Sequence, residues 1–190
     1  MCRPKPVYFL GDSNTWGLDP RDPFGNRYDL IYCEHLAGLL GKPCVNGGYC
    51  GQTAREALIN WPLIRSEIRL SQADTVFVFL GTNDILHDDL TDPVEITGRI
   101  SRLLALIRSE FPEIKGYLMT PVQIAVPGKP RFRRTAEAMD RLWRQEAAAF
   151  HFEIADLRAI APELSFDGVH LSEKGHRQLA EAIFHNIIGR

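Results

Sequence analysis

Five short apolar runs, separated by helical patterns, predict an α/β protein: a three-layer α/β/α sandwich around a five-stranded parallel sheet. The runs are rich in β-branched and aromatic residues and do not alternate cleanly with polar ones, as expected of strands buried on both faces. Their ends fall near residues 10, 46, 80, 120 and 155, and the 36, 34, 40 and 35 residues between them each suffice for one strand–helix–strand crossover. These intervals share no sequence pattern, so the chain is not a repeat array. Its 190 residues are read as a single domain, 1–190.

The expected strands cover residues 7–10, 44–46, 75–80, 115–120 and 152–155. After the first, Tyr28, Ile31, Tyr32, Leu36, Leu39 and Leu40 keep helical spacing and stop at Gly41. A second helical stretch, 54–70, is interrupted near Trp61-Pro62. Asp92-Pro93-Val94-Glu95 is a helix start, with Asp as N-cap, Pro in the first position and Glu reaching back. Ile96, Ile100, Leu103, Leu104 and Ile107 form the stripe that this helix buries. Another helix is expected from about Thr135 to Phe150, and Ser172 caps a last one carrying Leu179, Ile183 and Ile187.

Composition excludes several classes. Lys and Arg number 22 against 24 Asp and Glu, a net charge of −2, which argues against a nucleic-acid partner held by phosphate contacts. The longest apolar run, at residues 76–80, falls far short of the roughly 18–20 residues of a membrane span. The four apolar residues at 7–10 are too few for a signal-peptide core of about 7–15, so a cytoplasmic protein is expected. Cys2, Cys33, Cys44 and Cys50 contain no CxxC pair and no matching His spacing, which predicts reduced thiols and no metal site.

In open parallel sheets ligands bind outside the carboxyl ends of the strands, so chemistry is sought there. The first strand leads into Gly11-Asp12-Ser13-Asn14-Thr15-Trp16-Gly17, where Ser13 either exposes its hydroxyl beside helix-end amides or merely caps a turn. The second leads into Asn46-Gly47-Gly48-Tyr49-Cys50-Gly51-Gln52-Thr53, whose glycines permit a close backbone approach to a ligand. Neither a GxSxG elbow nor a phosphate-binding glycine motif is present. The third leads into Gly81-Thr82-Asn83-Asp84, where Asn83 is either a turn residue or a hydrogen-bond donor to the same crevice. Asp167-Gly168-Val169-His170 follows the fifth and can supply a carboxylate-oriented imidazole. Asp84-Ile85-Leu86-His87 has the same spacing, and spacing alone does not separate the two pairs.

Taken together and in this order, the four blocks resemble those of SGNH hydrolases, the GDSL-type esterase/lipase family, over essentially the whole chain. The resemblance implies a flavodoxin-like sandwich and a cofactor-free serine esterase for a small-molecule ester substrate. It implies Ser13 as nucleophile, His170 as base and Asp167 as its orienter, with His87 set aside. It implies an oxyanion hole formed by the Ser13 and Gly51 backbone N–H groups and the Asn83 side chain. Gly51 is preferred over Gly47 and Gly48 because Asn46 with Gly51-Gln52-Thr53 matches the family's N-x-x-x-x-G-x-T pattern. Asn14 departs from the family, which has Leu at this place.

With no insertion large enough for a lid domain, a short acyl chain in an open groove is expected. Trp16 and Tyr49 are candidate lining, and equally candidate core or subunit contacts, which leaves a homo-oligomer open. Lys129, Arg131, Arg133 and Arg134 lie in the stretch entering the fifth helix and form either a solvated face or a site for an anionic substrate. The alternatives are an acyl-CoA thioesterase, lysophospholipase or acyltransferase on the same site, and a non-catalytic binding module. Loss of Ser13 or His170 would favour the last, and both are present.

Overall fold

All five expected runs are strands: β1 (Val7–Gly11), β2 (Cys44–Gly48), β3 (Thr75–Phe79), β4 (Lys115–Met119) and β5 (Phe152–Ala155). They were read from a computed structural model that describes residues 3–87, 92–121, 126 and 130–185, the side chains of residues 87 and 130 excepted. The strands pair in parallel in the order β2-β1-β3-β4-β5. Every residue of the central strands β1 and β3 is buried, which is why their runs lack polar alternation. Phe9, Phe77 and Tyr117 stand in register on neighbouring strands and stack at 5.2 and 4.4 Å between ring centroids. Such cross-strand aromatic pairs add to the stability that burial supplies.

The chain moves from β1 to β2 in one direction, then passes back over β1 to β3, β4 and β5. Right-handed crossovers therefore place α2 (Tyr32–Leu39) on one face of the sheet. On the other face lie α3 (Ala54–Ile59), α4 (Trp61–Ser71), α6 (Pro93–Glu110) and α7 (Pro130–Ala149). The last helix, α9 (Glu173–Ile183), packs on α2 and on the short α8 (Leu157–Ile160), and α6 packs on both α3 and α7. Strand order reverses between β1 and β3. The short helices that follow those two strands, α1 (Ser13–Trp16) and α5 (Thr82–His87), thus stand at the switch point where such folds bind ligands.

The helix boundaries differ from expectation in three places. The first amphipathic pattern becomes helical only at Tyr32, because Tyr28 is tied by its N–H to Gly17 O and Ile31 is extended. Asp92 does cap α6, accepting from the Val94 N–H at 2.9 Å, but Glu95 turns to Arg99 instead of reaching back. The reciprocal capping box lies instead at Thr53 and Glu56, at the start of α3. Helix α7 begins at Pro130, so Arg131, Arg133 and Arg134 stand on its first turns and not in a loop. Arg131 lies over the Phe132 ring and Arg133 pairs with Glu137 at 3.3 Å, while Lys129 lies outside the described residues. Among the described residues no helix is long and apolar enough to cross a membrane.

Candidate active site

Ser13 owes its position to the turn that leaves β1. A Cβ at Gly11 would fall 1.9 Å from Thr15 Oγ1, so glycine is needed for α1 to fold back on the strand. Asp12 caps α1 by accepting from the Asn14 N–H at 2.9 Å. Burial pushes the Asp12 carboxyl up to about 7, against the Asn14 N–H and the nearby His170. The far end of the turn is held by Thr15, whose carbonyl accepts from Asn46 Nδ2 at 3.0 Å and whose hydroxyl meets Tyr32 OH at 2.9 Å.

Ser13 Oγ lies 2.9 Å from His170 Nε2, and His170 Nδ1 lies 2.5 Å from Asp167 Oδ2. The other oxygen of Asp167 accepts from the backbone N–H groups of Val169 and His170, both at 3.0 Å. Burial opposes ionisation of Asp167, but the imidazole and these two N–H groups outweigh it and hold the carboxyl below its ordinary value. In the competing pair, both Asp84 oxygens are engaged, Oδ2 with the Ala54 N–H at 2.8 Å and Oδ1 with Arg99 Nη1 at 3.3 Å. The His87 side chain lies outside the described residues.

The segment carrying Gly51 is tied to the same turn. Gly11 O accepts from the Tyr49 N–H at 3.1 Å and from Gln52 Nε2 at 3.0 Å. Asn83 Nδ2 donates to Gln52 O at 3.1 Å, and Asp84 holds the start of α3 just beyond. Asn83 thus lies in the first turn of a helix and braces the glycine segment with one of its N–H groups. Gly51 has φ of +80° with no atom within 4 Å of a Cβ built there, so what selects glycine is the backbone conformation, not space. Gly51→Ala is expected to cost about 1–2 kcal/mol of stability, measurable by urea unfolding.

Trp16 and Tyr49 are 39% and 49% exposed, at the rim and not in the core. Arg27 covers the Trp16 ring at 5.5 Å from its centroid. Tyr49, with Cys50, Gly51, Asn60 and Leu63, lines a cavity of about 400 Å³ beside the glycine segment. Among the described residues no group of three His, Cys, Asp or Glu side chains could hold a metal ion. Sequence reasoning missed the bracing by Asn46, Gln52 and Asp84. Their partners are 30 or more residues away, and no local pattern marks them.

Several solved structures share this fold. An acetylxylan esterase from Geobacillus stearothermophilus is 25% identical, with 96% of this chain and 94% of that chain covered at a TM-score of 0.74. A carbohydrate acetylesterase from Sinorhizobium meliloti is 20% identical, with 97% and 99% covered at 0.77. A putative G-D-S-L lipolytic protein from Desulfitobacterium hafniense is 17% identical, with 93% and 96% covered at 0.74. The last two likenesses speak to the fold alone. No curated protein matches the chain. The family model of the GDSL-like lipases and acylhydrolases matches residues 9–178, a span that runs from β1 into α9 and holds Ser13, Gly51, Asn83, Asp167 and His170. The chain belongs to that family of ester-hydrolysing enzymes.

Proposed function

We propose that the protein is a serine esterase that removes short acyl groups from hydroxyl-bearing substrates through Ser13, His170 and Asp167. The observation that carries this reading is the unbroken chain from Ser13 Oγ through the imidazole to the Asp167 carboxylate. His170 Nε2 takes the Ser13 proton as Oγ bonds to the acyl carbon, giving a tetrahedral intermediate. The oxyanion is held by the Ser13 and Gly51 N–H groups and by the Asn83 amide. The imidazolium returns its proton to the departing alcohol, leaving an acyl-enzyme. Water then attacks with His170 again as base and releases the carboxylic acid. Asp167 keeps the imidazole oriented and stabilises its charged form.

Two features favour an acetyl ester of a carbohydrate over a long-chain lipid. Tyr49, half-exposed where it lines the cavity beside Gly51, and the edge of Trp16 left open by Arg27 offer amphipathic surface to a sugar ring. The similar structure at 25% identity carries the name acetylxylan esterase. A fluorophosphonate probe is expected to label the protein once, at Ser13, and Ser13→Ala to remove the label. Turnover is expected to fall as the acyl chain of p-nitrophenyl esters lengthens from acetate. Labelling at another residue, or ester turnover without labelling, would contradict the serine mechanism. A preference for long acyl chains would contradict the substrate class.

A further inference from the structure

We propose that Asn14 is a positioning residue for His170, holding the imidazole in register with Ser13 from the nucleophile's own turn. This rests on the reading of Ser13, His170 and Asp167 as the acyl-transfer triad.

Asn14 is 1% exposed, and a buried amide is unfavourable unless its polar atoms are satisfied. Both are directed at the peptides flanking His170. Oδ1 accepts from the Leu171 N–H at 2.8 Å, and Nδ2 faces the Val169 carbonyl at 3.4 Å. The Leu171 N–H donates, so the atom facing it must be the amide oxygen, and this fixes the orientation of the side chain. His170 is otherwise fixed from its own loop, its N–H donating to Asp167 Oδ1 and its carbonyl accepting from the Ser165 N–H at 2.7 Å. Those bonds set the shape of the 167–171 loop, not its distance from Ser13.

Asn14 sets that distance. It follows Ser13 directly, and its own N–H is held by Asp12. Among the described residues, the hydrogen bonds joining the 167–171 loop to the Ser13 turn are those of Asn14 and the Ser13–His170 contact itself. A leucine here, as in the family's name-giving motif, fills similar volume but cannot accept from Leu171. In this chain the amide therefore does something that packing does not require. Proton transfer needs Oγ and Nε2 within hydrogen-bond reach, and a displacement of about 1 Å costs on the order of 10²-fold in rate.

The test is a double-mutant cycle. Asn14→Leu is expected to lower kcat on p-nitrophenyl acetate about 10- to 10²-fold with KM within a few-fold. The rate of fluorophosphonate labelling at Ser13 should fall by the same factor. In a His170→Ala background, whose residual turnover comes from the oxyanion hole and binding, the same change should have no further effect on either rate. Asn14→Asp keeps the acceptor for Leu171 and should fall between wild type and Asn14→Leu. It carries the same cycle if the leucine variant does not fold. Thermal melting of each variant registers a purely structural loss. Equal losses with and without His170, or an unchanged kcat in Asn14→Leu, would overturn the proposal. A fully active His170→Ala would instead overturn the triad reading beneath it.

Discussion

His170→Ala is expected to lower kcat by about 10⁴-fold or more, roughly 5 kcal/mol or more of lost transition-state stabilisation. The serine hydroxyl is a weak nucleophile, and without a base 2.9 Å away its proton has no acceptor during attack. Asp167→Asn is expected to approach the same loss while the fold stays intact. The amide no longer favours the tautomer with Nδ1 protonated, nor compensates the imidazolium. The Asp167 carboxyl lies below its ordinary value, so it stays ionised into the acid range and keeps its charge beside His170 until late on acidification. His87→Ala is the control and is expected to leave kcat within a few-fold. Steady-state kinetics on the three variants, with labelling rates at Ser13, measure all of this. An inactive His87→Ala beside an active His170→Ala would reverse the assignment.

Asn83→Ala is expected to lower kcat by about 10²–10³-fold, or ~3–4 kcal/mol, with KM within a few-fold. One Asn83 N–H is engaged by Gln52 O, and the other has no partner among the described residues. That second N–H is free to meet an oxygen whose charge grows in the tetrahedral intermediate. A bond that strengthens as charge develops lowers the barrier more than it tightens substrate binding. Asn83→Asp is expected to be at least as damaging, since it sets a carboxylate beside the oxyanion. If Asn83 served only to brace the glycine segment through Gln52, its removal would leave a buried carbonyl unsatisfied. The cost would then be about 1–3 kcal/mol of stability, with kcat nearly intact. Thermal melting and kinetics on one Asn83→Ala sample separate the outcomes. A stable, slow variant supports the oxyanion role, and an unstable variant with normal turnover refutes it.

Much of the fold was legible in the sequence because strand formation here is a local matter. Runs such as residues 7–10 and 75–80 are short, apolar and without alternation, as strands buried on both faces are, and β1 and β3 are buried throughout. The caps at Asp92 and Ser172 were legible too, since a cap acts within one helical turn. Helix starts were less so. The expected start of α7 near Thr135 lies five residues late, because buried Phe132 pulls the first turns of that helix against the core. Tyr28 was assigned to α2 by its spacing, yet its backbone is held by Gly17.

At the site, the candidate residues and the sheet edge where they should lie were legible from motif order alone. Ser13, Gly51 and Asn83 each lie within a few residues of a strand end, and parallel strands bring such segments to one rim, whereas Asp167 and His170 come after β5 and a further short helix. What each side chain faces is a matter of tertiary packing. It sets Ser13 against His170, engages Asp84 with α3 and Arg99, and turns Asn14 toward the peptides beside His170. The reason is one of range. Periodicity and capping act over a few residues, whereas the Ser13–His170 contact joins positions 157 apart, and the packing of α9 on α2 brings the 167–171 loop to the Ser13 turn.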